Sequence, residues 1–286
     1  MAVYEQTYRR YEGPRTSRRL RFLVIPRYAY HRLSGSKILW ALLVAATLLT
    51  LGAAVLVYLK HNVRALAAMN LEVGELLPID AGFFDVFQGI QLGIGFLIVL
   101  VAGPALISMD LANGALPLYL ARPLTRREYV LGKLTVLAAG LSVVTWVYGL
   151  GLWALQAVLE GGTWALDNLR IAGAIFASAW IWILVLSFLT LALSALIRWP
   201  LAVRGVLLVL FLVLPGFGLA LAQVLRTPWG HVINLGADLG AVQSALFGVA
   251  AADGPPAAGA AIVLALVLAG SIALLAAKLR AQEVVT

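Results

Sequence analysis

Long apolar runs alternate with short polar stretches along this chain. The runs cover residues 38–59, 83–107, 130–159, 171–197, 201–225 and 260–278. About 20 apolar residues at roughly 1.5 Å each cross the ~30 Å hydrocarbon core of a bilayer. Each run therefore predicts one membrane-spanning helix. Ahead of them, residues 1–36 are polar and basic, with a break at Gly13–Pro14. Within that region Leu20, Leu23, Val24, Tyr28 and Leu33 recur at helical spacing with arginines between them. This pattern predicts an amphipathic helix over 18–33 lying in the membrane interface, either kinked at Pro26 or with a second short helix starting there. The expected fold is an all-α integral membrane protein: six transmembrane helices (37–286) behind an amino-terminal amphipathic interfacial helix (within 1–36).

The connections differ in character. In 60–82, Leu66, Met69, Val73 and Leu76 keep helical spacing before Pro78 and Gly82. In Arg226–Gly259, Val232, Leu235, Leu239, Val242, Leu246 and Val249 form an apolar stripe at a 3-4-3-4-3 spacing. That stripe predicts a helix. Asn234, Asp238 and Gln243 make it too polar to span, so a re-entrant or surface-lying helix is expected. The most heavily punctuated connection is Ser108–Lys133. Asp110 and Gly114 mark its start, and Pro123 sets the beginning of a helix. Thr125 and Glu128 have the spacing of a capping box. A short amphipathic helix over Thr125–Lys133, running straight into the third span, is expected.

Composition agrees with a membrane class. Of the 286 residues 62% are hydrophobic and 12% charged, and mean hydropathy is +0.96; soluble domains are nearer half apolar and a quarter charged. Cysteine is absent, which excludes disulfides and thiolate chemistry. His31, His61 and His231 fall in separate segments and do not suggest a metal site. No early apolar stretch precedes the first span, so no cleavable signal is expected. With the amino terminus inside, 17 of the 21 Lys and Arg lie on the cytoplasmic side and four (Lys60, Arg64, Arg170, Arg226) lie outside. The positive-inside rule then puts both termini in the cytoplasm. The 17 Arg against 4 Lys suit a GC-rich bacterial genome, hence a bacterial inner membrane.

The spans carry almost no charge at depth; Asp85, Asp110, Arg198 and Arg204 fall near span ends. A buried acidic relay and an intramembrane protease are therefore disfavoured. Gly132–Lys133 lacks the upstream Gly and the following Ser/Thr of a phosphate-binding loop, so this chain is not expected to hydrolyse ATP. Gln88 and Gln91 share one helical face and are candidate path-lining residues, with a hydrogen bond to a neighbouring helix as the alternative. Gly89 and Gly93 permit a close helix contact. Pro215–Gly216, with Gly218 nearby, is a candidate break and hinge in span five.

One resemblance follows from the punctuated loop. Asp110, Gly114, Leu116, Leu120, Arg122, Pro123, Arg126, Glu128, Tyr129, Gly132 and Lys133 form a pattern that resembles the first cytoplasmic loop of ABC-2-type transporter permeases. The residue match covers 108–133, and the topology match covers the whole chain. The resemblance implies a permease subunit of an ATP-driven exporter, with an elbow helix before span one and a large outer element between spans five and six. It implies a coupling helix at 122–133 that contacts a separate ATPase subunit through Arg122, Pro123, Thr125, Arg126, Glu128 and Tyr129. It implies pairing with a second permease subunit, identical or homologous, and ATP with Mg bound by the partner rather than by this chain. Membrane lipid is the other expected partner; nucleic acid is not one. The alternative is a non-transport scaffold or assembly subunit of a larger membrane complex.

Overall fold

The computed structural model describes residues 22–62, 78–115, 119, 124–225, 234–250 and 255–281. Among these residues every regular element is helical. The elements are α1 (Val24–Leu33), α2 (Lys37–His61), α3 (Ala81–Ala102), α4 (Ala105–Ala112), α5 (Arg126–Ser142), α6 (Tyr148–Glu160), α7 (Trp164–Asp167), α8 (Leu169–Leu196), α9 (Pro200–Leu208), α10 (Leu214–Leu225), α11 (Leu235–Phe247) and α12 (Ala257–Ala281). Six helical stretches are long and apolar enough to cross a membrane: α2, α3–α4, α5–α6, α8, α9 into α10, and α12. The protein is a multi-pass, all-α membrane protein. The expected helices over 18–33 and 60–82 fall partly outside the described residues, which begin at 22 and omit 63–77.

The second and fourth spans form the centre. In both, 61% of the most apolar window is buried, against 17%, 17% and 22% in the first, fifth and sixth. α8 packs against α3, α4, α5, α6, α11 and α12. The first span shows why so little of it is buried. Only Ala46, Ala53 and Val57 are fully covered, at the i, i+7, i+11 spacing of one narrow stripe. Thr47 and Thr50 lie beside that stripe; Thr47 meets the Tyr148 hydroxyl of α6 at 2.8 Å. The exposed side of α2, with Ile38, Val44, Leu48, Leu51 and Val55, presents an apolar surface suited to lipid.

Three spans depart from regular helix. In the second, Gly103–Pro104 separates α3 from α4. Pro104 has no N–H for the Leu100 carbonyl, and its ring crowds the turn behind it. Arg204 of α9 supplies the missing donors, Nε to Leu100 O at 3.0 Å and Nη2 to Val101 O at 3.5 Å. Ser194 of α8 caps the resumed helix. It accepts from Ile107 N at 3.1 Å and Ser108 N at 2.8 Å, and donates to Pro104 O at 2.8 Å. A side chain at Gly103 would meet Thr190 Cγ2 at 2.5 Å, so glycine permits this crossing of spans two and four.

The fifth span corrects an expectation. No break occurs at Pro215–Gly216; α10 runs through both residues to Leu225. The irregularity lies just upstream, in a π-helical turn over Val209–Val213. Such a widened turn moves the carbonyl behind Pro215 away from its ring. A second π turn, Val143–Val147, joins α5 to α6.

Candidate functional site

The described parts of the punctuated loop, 108–115, 119 and 124–133, form a latch at the end of the bundle that carries α1. Its foundation is local. Thr125 takes an extended backbone and its Oγ1 accepts from Glu128 N at 3.2 Å, while Glu128 Oε2 accepts from Thr125 N at 2.7 Å. This is the capping box expected from the spacing, and it fixes the start of α5 at Arg126. From that start, Tyr129, Gly132, Lys133 and Val136 fall on one helical face at i+3 and i+4 spacings and are all buried. The expected short helix over Thr125–Lys133 is thus the first two turns of one continuous helix.

That face closes on two partners. Asp110, near the end of α4, receives the Tyr129 hydroxyl at 2.7 Å and Lys133 Nζ at 2.7 Å, both on Oδ2. Lys133 Nζ also lies 5.4 Å from the Tyr129 ring centroid and 5.8 Å from that of Tyr119. The cation is therefore held by a carboxylate and two aromatic faces, which offsets its loss of water. On the other side sits α1. A Cβ at Gly132 would stand 2.9 Å from Ile25 and from the Phe22 carbonyl, so glycine admits α1 against α5. Tyr30 donates to Val136 O at 2.6 Å, and Arg32 donates to Met109 Sδ of α4. One rigid assembly thus joins α1, α4 and the start of α5.

The structure sorts the sequence-predicted partner contacts. Arg122 and Pro123 lie outside the described residues. Thr125 is exposed, while Arg126 and Glu128 are partly exposed at the start of α5. Tyr129 has no exposed surface. Its side chain is spent on Asp110, so it can position a contact surface but does not belong to one. Lys133 was legible as part of the motif, but its role as the ion-pair partner of Asp110 was not.

Gln88 and Gln91 are both fully buried within the one chain. Gln91 Nε2 donates to Thr50 Oγ1 at 2.7 Å and to Ala46 O at 3.1 Å, tying the second span to the first. Gln88 Oε1 lies over Gly149, 3.0 Å from where a Cβ would be. Gln91 thus makes the bond to a neighbouring helix given above as the alternative, whereas neither amide atom of the buried Gln88 meets a hydrogen-bond partner.

The far end holds a second polar cluster. α11 packs on α3, α8 and α12. Its start shares a cavity of about 230 Å³ with Phe96, Trp182 and Phe211, so it leans down beside the spans instead of lying across their ends. Gln243 Nε2 donates to Asp85 Oδ1 at 2.7 Å and to Asp85 O at 2.8 Å, and Ser244 donates to Asp85 Oδ2 at 2.9 Å. Arg170 donates to the Leu246 and Ala245 carbonyls at 3.3 and 3.4 Å and covers Gly248. Gly248 has φ +74°, the left-handed helix end for which glycine is suited. Asp238 is fully buried, and neither of its carboxylate oxygens meets a hydrogen-bond partner. Burial raises its pKa to about 7. The apolar stripe predicted the helix, but the buried face also includes its polar residues, Asp238 and Gln243. His61 Nε2 and Glu160 Oε2, 2.7 Å apart, join the first and third spans at this same end.

Comparison with known proteins adds no relative: no family model and no curated protein matches the chain.

Proposed function

We propose that this chain is the permease subunit of an ATP-driven exporter of the ABC-2 type, resident in a bacterial inner membrane with both termini in the cytoplasm. The observation that carries the reading is the latch. Asp110, Tyr129, Gly132 and Lys133, four positions of the resembling motif, converge on one buried assembly. That assembly welds the elbow-like α1 to α4 and α5. A push on the exposed start of α5 would then move α1 and the second and third spans as one body. Arg126, with Arg122 and Pro123 ahead of it, is the contact we assign to the ATPase, and the partner supplies ATP and Mg chemistry. A second permease subunit covers the weakly buried first and fifth spans. The charge asymmetry supports the orientation.

The test uses Arg126→Glu, paired with Glu128→Gln. Glutamine keeps the capping box, whereas arginine at 128 would break it and confuse folding with docking. The reading expects at least tenfold weaker ATPase association with an unchanged melting temperature. Unchanged association would remove Arg126 from the interface. If no ATPase is found with either protein, the chain is better read as a scaffold subunit.

A further inference from the structure

A groove of about 740 Å³ opens beside the latch, between the start of α5, Phe188 of α8 and the last turns of α12. Its walls are apolar, with Leu275 and Leu279 buried at its floor and Ala276 at its rim. Its mouth is not apolar: Arg126 and Arg127 both line it, and Arg127 is exposed. Lys278, one residue before Leu279, is also exposed at this end of α12. Ile272 and Leu279 are seven residues apart on one helix, so the groove runs about 10 Å along the span. It lies at a span end, where hydrocarbon gives way to headgroups.

We infer that this groove holds one anionic phospholipid, its acyl chain along α12 and its phosphate against Arg126 and Arg127. The volume falls in the range of pockets that enclose a small ligand. Acyl chains gain little by leaving other acyl chains for leucine, so apolar walls alone would not choose a lipid. Selection comes from the two guanidiniums, which bind phosphate through paired N–H groups and attract anionic headgroups. The α5 amino terminus is not invoked as the anchor; its capping box takes the Thr125 and Glu128 N–H groups. Lipid and ATPase would share Arg126, so the inference concerns the isolated subunit, where no ATPase competes for it, and does not depend on the transport reading.

The test is native mass spectrometry of the subunit alone, from nanodiscs of equal phosphatidylglycerol and phosphatidylcholine. One phosphatidylglycerol per chain should persist at collision energies that strip phosphatidylcholine. Arg127→Gln should lower that occupancy about fivefold. Ala276→Trp, which fills the groove, should abolish it. If the tryptophan variant fails to fold, Arg127→Gln decides, because its side chain is exposed and its loss disturbs no packing. Equal retention of the two lipids, or phosphatidylglycerol retention that neither variant alters, would overturn the assignment.

Discussion

Lys133 has only 6% of its surface exposed, and its Nζ lies 2.7 Å from the Asp110 carboxylate. Removing one member of a buried pair leaves the other uncompensated, whereas removing both can be nearly neutral. Lys133→Met should therefore destabilise the fold by about 3–5 kcal/mol. Combining it with Asp110→Asn should restore most of that loss, because asparagine still accepts the Tyr129 hydroxyl. Thermal unfolding of both single variants and the double variant in detergent gives the coupling; additive losses would show that the pair does not act as a unit. Asp110 and Lys133 were visible as members of one motif because they are close in sequence. Their pairing was not, since residue types and spacing do not say how α4 lies against α5. The 158-residue separation of Asp85 and Gln243 was further still from view.

Helices were legible for a simple reason: an apolar run long enough to span has few other structures open to it. Their irregularities were less so. Two prolines sit inside spans, and sequence inspection singled out Pro215, where the helix continues. Pro104 is the one that divides its span, and its bend depends on Arg204, a hundred residues away. Arg204→Leu should leave two carbonyls without donors and cost about 1–3 kcal/mol. In a Pro104→Ala background the helix can supply the Leu100 carbonyl with its own N–H, so the same change should cost about half as much or less. Equal costs in both backgrounds would separate Arg204 from the kink. α11 offers a pH test, since it lies outside the six spans. Its Asp238 carboxyl titrates near 7 when folded, against about 3.9 when unfolded. The folded state thus binds more protons between those values. The stability contributed by the neutral acid is present in full below about pH 4 and is lost as pH rises to 7. Asp238→Asn should flatten that slope and raise stability at pH 8, where the folded wild-type carboxyl is ionised. Melting temperatures from pH 4 to 8 for both proteins check it; parallel curves would place the dependence elsewhere.

At the scale of the molecule, the division of labour among spans is the main finding. Spans two and four are the buried axle, and spans one, five and six present broad apolar faces outward. Polar clusters lock each end. The Asp110 latch joins α1, α4 and α5 at one end, and the Asp85–Gln243 and His61–Glu160 contacts tie helices at the other. A bundle fastened at both ends, with the Gln91–Thr50 and Thr47–Tyr148 contacts between, suits motion of whole helices against a neighbour better than flexing within one chain. Composition and the lengths of the apolar runs made the spans legible. The outer element's position beside the spans depended on pairings across the whole chain. The proposal that ties these features together is an exposed docking surface on a rigid latch. Its most direct test is gentle purification from native membranes with identification of each bound subunit. The account predicts a stoichiometric ATPase subunit, released by Arg126→Glu with Glu128→Gln. Recovery of other membrane proteins with no ATPase among them would contradict it.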